Sequence, residues 1–107
     1  MTELIQVVTT VDSKAEGVRL GHLLVEGRLA ACVQIVGPVV SIYRWQGVIE
    51  EGQEYQLHIK SHAGLLAKLE AVIQANHSYD VPEILTTSLC GCSYSYQQWL
   101  LGELSHD

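Results

Sequence analysis

The sequence predicts an α+β fold in which two helices cover one face of an antiparallel sheet. Two observations lead to this expectation. Short β-branched segments alternate with amphipathic ones in the order β-α-β-β-α-β, followed by a terminal helix. The second and third strands are long and consecutive, as in an extended hairpin. This order is that of the split βαβ, or ferredoxin-like, arrangement. We expect residues 1–107 to form a single domain.

The first strand is predicted over residues 4–10, LIQVVTT, because the segment is short, apolar and β-branched. Ser13 with Glu16 is the capping-box pattern that begins a helix. The apolar face of this helix is predicted at Ala15, Val18, Leu20, Leu23 and Leu24. Gly27 suits the left-handed conformation that ends many helices, so the helix is expected to end there.

A long hairpin is predicted between residues 30 and 61. Its first strand, residues 30–36, is interrupted at Gly37-Pro38, where a bulge or bend is expected because Pro donates no ladder hydrogen bond. The strand resumes over residues 39–45, Gln46-Gly47 forms the turn, and residues 48–61 return. Strands usually run about 5–6 residues. We therefore expect the arms to overhang their own sheet, with a neighbouring subunit as the natural partner.

The rest of the chain is predicted to supply a second helix, a last strand and a terminal helix. The second helix spans residues 63–76, the strand spans residues 84–89, and the terminal helix spans residues 94–104. The apolar stripe of the second helix is predicted at Leu65, Leu66, Leu69, Val72 and Ile73.

Charge and composition exclude some partners. Twelve acidic residues against six basic ones give a net charge of -6, and the basic residues are scattered. A nucleic-acid binder shows the opposite sign, so neither nucleic acid nor an anionic membrane is expected as a partner. The apolar runs are far shorter than the roughly 20 residues of a membrane span. With no signal-peptide pattern and an odd number of cysteines, 3, we predict a cytoplasmic protein with reduced thiols.

The polar connection at residues 77–83, HSYDVPE, is the first candidate for a metal site. Imidazole and carboxylate ligands suit Zn(II) or Cu(II), which makes His77, Asp80 and Glu83 candidate ligands. The alternative is structural: His77 ends a helix, where a donor suits the carbonyl groups, and the two carboxylates line a turn.

The cysteines are the second candidate. Thiolates are soft donors that favour Cu(I) or Zn(II), so Cys90 and Cys92 are possible ligands. A single intervening residue is tight for a chelate, and the alternative is a pair of small residues before the terminal helix. Cys32 lies in an apolar strand and is predicted to be a small buried side chain with a structural role.

Aromatic and cationic side chains cluster on the predicted hairpin, at Tyr43, Arg44, Trp45, Tyr55 and Lys60. Aromatic residues and arginine are enriched at protein interfaces, so we predict an intersubunit surface or ligand cleft there, to which Tyr79 also belongs. A small anionic ligand at Arg44 or Lys60 is the alternative. No phosphate loop, dinucleotide fingerprint or nucleophile elbow is present, and the prediction is a binding protein rather than an enzyme.

Four stretches resemble the CutA divalent-cation tolerance family. Residues 28–35, RLAACVQI, look like its second strand, and residues 41–49, SIYRWQGVI, look like its long hairpin. Residues 77–83 resemble its H-P-Y-x-x-P-E signature, with Ser78 where the family usually has Pro. The pair Tyr96 and Trp99 is similar to the Y-x-x-W of its terminal helix.

The resemblance implies a homotrimer whose hairpins pair between subunits and which acts in tolerance to divalent cations, copper above all. It also associates His77 and Glu83 with metal, while Pro82 and Trp99 fall on motif positions to which we assign structural roles. A copper or zinc ion is expected as a ligand, not as an essential cofactor. The alternative is a P-II-like signalling or scaffold trimer that binds a small metabolite in intersubunit clefts and acts on an unknown partner protein.

Overall fold

The structure, a computed structural model, describes residues 3–105. The strands are β1 (Leu4–Val11), β2 (Cys32–Trp45), β3 (Val48–His62) and β4 (Leu85–Ser88). The helices are α1 (Lys14–Glu26), α2 (Leu66–Asn76) and α3 (Tyr94–Glu103), and a single 3-10 turn at Ala63–Leu65 precedes α2. The four strands form one antiparallel sheet of order β2-β3-β1-β4. The predicted α+β, ferredoxin-like arrangement is confirmed.

The main core lies between the sheet and the helices α1 and α2. Alternate residues of β1 and β3 point to this side, because side chains alternate across a strand. The buried cluster consists of Ile5, Val7, Val11, Leu20, Leu24, Ala30, Leu57, Ile59, Leu69 and Ile73. The apolar stripe predicted for the second helix is confirmed. Leu69 and Ile73 of α2 and Leu65 of the preceding turn are buried, and Leu66 and Val72 are partly buried against the core.

The buried face of α1 differs from the prediction. Gly17 and Gly21 are buried together with Leu20 and Leu24, whereas Val18 is 40% exposed and Leu23 is 36% exposed. A Cβ atom at Gly17 would lie 3.2 Å from Leu57 Cδ1, and one at Gly21 would lie 3.3 Å from Val33 Cγ1. Because glycine has no side chain, the helix approaches the sheet closely at these two positions. Helix α1 therefore contacts the sheet through its glycines and not through Val18 and Leu23.

The N-terminus of α1 is capped as predicted, whereas its C-terminus ends in a different backbone conformation. Ser13 caps the helix as predicted, because its hydroxyl oxygen accepts a hydrogen bond from the Glu16 amide at 3.1 Å. The helix ends at Gly27, but Gly27 is not left-handed, with φ of -80°. Arg28 takes the left-handed conformation instead, with φ of 58°. The contacts of Arg28 explain this: its carbonyl accepts from the Ser105 amide, and its guanidinium donates to the Gly102 carbonyl at 2.9 Å.

The hairpin of β2 and β3 extends well beyond the sheet. Strand β1 pairs with β3 between Tyr55 and His62, while the segment Val48 to Glu54 is paired with β2. The expected bulge is present as a register shift between Val36 and Val39. The overhanging pair of strands, residues 39–54, is called the ribbon below. It lengthens the protein to 45 Å along its longest axis.

Helix α3 packs at the end of the sheet opposite to the ribbon. A second buried cluster joins it to β1, to the chain before β2 and to the 3-10 turn, through Leu4, Ala31, Leu65, Leu100 and Leu104. The hydroxyl oxygen of Ser93 caps this helix by accepting from the Tyr96 amide at 3.4 Å. Within residues 3–105, no helix has the length and apolar character needed to cross a membrane.

Candidate functional site

An open cleft of about 920 Å³ lies between the ribbon and the loop that connects α2 to β4. The loop contributes Tyr79, Asp80, Val81, Pro82 and Glu83, and the ribbon contributes Ser41, Ile42, Tyr43, Trp45, Glu50 and Glu54. Thr10, at the end of β1, completes the lining. The overhang predicted from the strand lengths therefore forms one wall of the site. We call this site the acidic cleft.

Negative charge dominates the acidic cleft. Four of its lining residues carry carboxylates, namely Glu50, Glu54, Asp80 and Glu83, and its lining contains neither lysine nor arginine. Like charges gathered on one concave surface focus the electrostatic field and concentrate counter-ions there. The cleft therefore attracts cations and repels anions.

Tyr79 connects the loop to the ribbon. Its hydroxyl group donates a hydrogen bond to Glu54 Oε2 at 2.9 Å, between two half-buried side chains. Burial raises the pKa of the Tyr79 phenol well above its ordinary value, and the hydrogen bond to Glu54 and the charge of that carboxylate raise it further. The phenol is thus a donor at neutral pH and holds the Glu54 carboxylate against the loop.

His77 fastens the start of the loop to β1. Its Nε2 atom lies 2.7 Å from the Thr10 carbonyl oxygen, and its Nδ1 atom accepts a hydrogen bond from the Tyr79 amide at 3.0 Å. With these partners Nε2 is the donor and Nδ1 the acceptor, because a carbonyl accepts and an amide donates. Metal ligation by His77 stays a prediction, and it would require one of these two hydrogen bonds to be released.

A further contact holds the end of α2, next to His77. The Arg19 guanidinium donates to the Asn76 carbonyl at 2.6 Å and binds the Glu16 carboxylate at 2.9 Å. The hydrogen bond from Arg19 lowers the pKa of Glu16. Helix α1 thereby helps to position the loop, as does the buried Pro82 further along it.

The aromatic and cationic residues of the predicted cleft divide between two locations. Tyr43, Trp45 and Tyr79 line the acidic cleft, whereas Arg44 and Lys60 do not. The Lys60 ammonium donates to Gln34 Oε1 at 2.6 Å, and Arg44 Nη1 donates to the Gly47 carbonyl at 3.4 Å. The acidic cleft therefore lacks the cations that a small anionic ligand would require.

The three cysteines are free thiols located outside the acidic cleft. Cys90 and Cys92 are exposed, and Cys32 is only partly buried, whereas the sequence predicted a buried side chain. Trp99 is 46% exposed and contacts Tyr96 with ring centroids 5.5 Å apart. Among residues 3–105, no group of three or more His, Cys, Asp or Glu side chains is assembled for a metal ion.

Sequence reasoning missed Glu50 and Glu54 as residues of the site. Both lie on β3, where they pair with Tyr43 and Val39 across the hairpin. Residues paired directly across a sheet point to the same face. The pairing of Glu50 with Tyr43, already a candidate, was the available signal, but it required the register on both sides of the bulge to be known.

Together, these features define a small ferredoxin-like α+β fold with an open cleft lined by four carboxylates. The sequence profile of the CutA1 divalent ion tolerance protein family matches residues 5–103. The chain belongs to this family.

Individual relatives agree with the profile. The divalent-cation tolerance protein CutA of Thermus thermophilus is 42% identical over 94 residues, which are 88% of this chain and 91% of that protein. The chloroplastic protein CutA of Arabidopsis thaliana is 40% identical over 96 residues, 90% of this chain and 53% of that protein. The chain thus spans about half the length of the plant relatives that it matches.

Solved structures show the same fold. The crystal structure of CutA1 from Oryza sativa superposes with a TM-score of 0.96 at 36% identity, covering 98% of this chain and 96% of that one. CutA from Synechococcus elongatus gives a TM-score of 0.94 at 37% identity and covers 98% and 93% of the two chains.

Proposed function

We propose that this chain is a cytoplasmic, non-enzymatic protein that binds divalent cations, copper or zinc in particular, as a homotrimer. In this way it would contribute to cation tolerance. The observation that carries the proposal is the acidic cleft, in which Glu50, Glu54, Asp80 and Glu83 face one concave surface without a lysine or arginine. Family membership supports the same conclusion, since the family is described as divalent ion tolerance proteins.

The proposed ligands are the carboxylates that remain accessible in the cleft. Asp80 and Glu83 are exposed on the loop, and Glu50 is exposed on the ribbon. Carboxylate oxygens bind divalent cations, and an added imidazole shifts the preference towards Cu(II) or Zn(II). His77 would contribute as a ligand if a cation displaced one of its two backbone partners. Otherwise it contributes by holding Asp80 and Glu83 in place.

The ribbon supports the homotrimer. An isolated two-stranded hairpin is marginally stable in water and requires a surface to pack on. The apolar side chains of the ribbon are open, with Val40 71% exposed and Ile42 67% exposed. The radius of gyration, 14.5 Å, exceeds the about 13 Å expected for a compact chain of this length. A neighbouring subunit would cover these side chains, and three subunits is the number that the family resemblance implies.

A cation titration followed by native mass spectrometry tests the binding proposal. The protein is measured alone and with graded Cu(II) or Zn(II), as wild type and as Glu83→Gln, Glu50→Gln and His77→Ala. Glu51→Gln is the matched control, because Glu51 neighbours Glu50 and changes the net charge equally but does not line the cleft. We expect a trimer that takes up a whole number of ions per subunit, with uptake weakened by Glu83→Gln and Glu50→Gln and unchanged by Glu51→Gln. Diffuse uptake, equal in all variants, would overturn the proposal.

A variant of the ribbon tests the trimer separately. Val40→Glu places a charge on the apolar overhang without altering the lining of the acidic cleft, and it should shift the trimer towards smaller species. Lys68→Glu, on α2, is the control, and we expect it to leave the trimer intact. A wild-type protein that remains monomeric at micromolar concentration in analytical ultracentrifugation would contradict this part of the proposal.

A metabolite-binding trimer of the P-II-like type is the second candidate. The cleft volume of about 920 Å³ lies within the range of small-molecule pockets, about 300–1,000 Å³. Tyr43, Trp45 and Tyr79 next to carboxylates suit a ligand with a cationic amine, because aromatic faces attract cations. The change in melting temperature on adding amines or metal ions distinguishes the two proposed functions. A stabilisation by an amine that Trp45→Ala abolishes, without saturable metal uptake, would favour the second.

A further inference from the structure

Cys90 and Cys92 form a pair of accessible thiols between β4 and α3. Both residues are exposed and neither is in a disulfide. Gly91 separates them, and a Cβ atom at Gly91 would meet no atom within 4 Å. The residue between the two thiols therefore has open space around it, and no neighbouring atom blocks access to the pair.

The segment that carries the thiols is anchored at both ends. On one side the Leu89 amide donates to the Leu4 carbonyl at 2.9 Å, and the Leu89 side chain packs against the cluster that contains Leu4 and Leu100. On the other side Ser93 caps α3. Cysteines two positions apart in a short chain fixed at both ends lose little conformational freedom on meeting a common ligand.

The surroundings of the pair suit a negatively charged complex. Cys92 directly precedes the N-cap of α3, a ten-residue helix, and a helix N-terminus stabilises thiolates and other anions. Tyr96, in the first turn, lies within electrostatic range of the Cys92 and Cys32 thiols, whose charges add to the effect of burial in raising the pKa of its phenol. The third thiol, that of Cys32, thus also lies near Tyr96.

We propose that Cys90 and Cys92 bind one monovalent copper ion between their sulfur atoms. Soft thiolate ligands select Cu(I), and Cu(I) is satisfied by fewer ligands than the divalent ions. Both thiols lose their protons when the two Cu–S bonds form, so the complex carries one net negative charge. The oxidation state of the copper does not change in this step. The proposal does not depend on the acidic cleft, which neither thiol lines.

Competition with a chromophoric Cu(I) chelator under anaerobic conditions tests the proposal on the full chain. We expect the wild type to withdraw one Cu(I) per chain and to develop the near-ultraviolet absorbance of a Cu(I)–thiolate bond. Cys90→Ser and Cys92→Ser should each weaken the affinity by at least about 100-fold, since the loss of outer-shell contacts alone costs 10–100-fold. Because both positions are exposed, the variants should keep the wild-type circular dichroism spectrum.

Two controls keep this test separate from that of the cleft. Cys32→Ser changes the third thiol and should leave Cu(I) uptake intact, whereas Glu50→Gln alters only the acidic cleft and should also leave it intact. Equal Cu(I) affinity in the wild type and the Cys90→Ser, Cys92→Ser double variant would overturn the proposal. An equal loss in Cys32→Ser would overturn it as well, because the pair would then not suffice.

Discussion

The hydrogen bond between Tyr79 and Glu54 is the contact that joins the loop to the ribbon, and Tyr79→Phe removes it while keeping the ring. A hydrogen bond to a charged group contributes about 1.5–3 kcal/mol. Because both side chains are only half-buried, solvent screening reduces this value, and we expect Tyr79→Phe to lower the free energy of unfolding by about 1–2 kcal/mol per subunit.

Guanidinium unfolding at a fixed protein concentration measures this effect, since the stability of an oligomer depends on concentration. With a slope of about 3 kcal/mol per molar, the midpoint should fall by about 0.3–0.7 M. Tyr94→Phe is the matched control, because the Tyr94 side chain is 77% exposed, and it should change the free energy of unfolding by less than about 0.5 kcal/mol.

A double-mutant cycle with Glu54→Ala then isolates the pair. If the hydroxyl–carboxylate contact has the strength expected here, the two substitutions deviate from additivity by about 1 kcal/mol or more. Additivity within about 0.3 kcal/mol would refute the reasoning, because distant and independent sites behave in that way.

Three further predictions concern pH, the bulge and the core. The folded-state pKa of Tyr79 is raised above its ordinary value of 10.0. The stability that the protonated phenol contributes is therefore complete below pH 10.0 and is lost as the pH rises further. Between about pH 9 and about pH 11, the unfolding midpoint should fall less in Tyr79→Phe than in the wild type. Gly37→Ala should destabilise the protein by about 1–3 kcal/mol in guanidinium unfolding, because at a φ of +158° its Cβ atom would lie 2.7 Å from Tyr55 Cδ2 and 3.1 Å from the Glu54 carbonyl oxygen. An unchanged midpoint would contradict this expectation. Leu69 has no exposed surface, and Leu69→Ala should lower the free energy of unfolding by about 2–5 kcal/mol, with calorimetry as the check and a loss under about 1 kcal/mol as the contrary result.

The fold was largely predictable because its signals are local. The stripe of α2 follows from side-chain periodicity, and the turn at Gln46-Gly47 follows from turn chemistry, with φ values of 49° and 82°. The buried face of α1 was not predictable in the same way. Gly17 and Gly21 have no apolar side chain to reveal it, and their role depends on how closely the helix approaches β2 and β3.

The chemistry of the site was predictable, but its geometry was not. The polar groups of the loop lie within seven consecutive residues, so the sequence alone shows them. The partner of the His77 ring, in contrast, is a backbone carbonyl on a residue 67 positions earlier in the chain, and Tyr79 reaches a carboxylate 25 positions earlier. Such pairs are created by the sheet register and by the place where the loop crosses the end of β1, and no local pattern encodes either.

The two hydrogen bonds of His77 decide how a variant at this position is to be interpreted. His77→Ala removes a possible ligand and also releases the loop that carries Asp80 and Glu83, since the ring contacts both the Thr10 carbonyl and the Tyr79 amide. Glu50 lies on the ribbon and does not depend on that loop for its position. Loss of cation binding in both Glu50→Gln and Glu83→Gln would therefore identify carboxylate ligands from the two walls of the cleft. Loss in His77→Ala without loss in Glu50→Gln would instead place the cation on the loop side of the cleft.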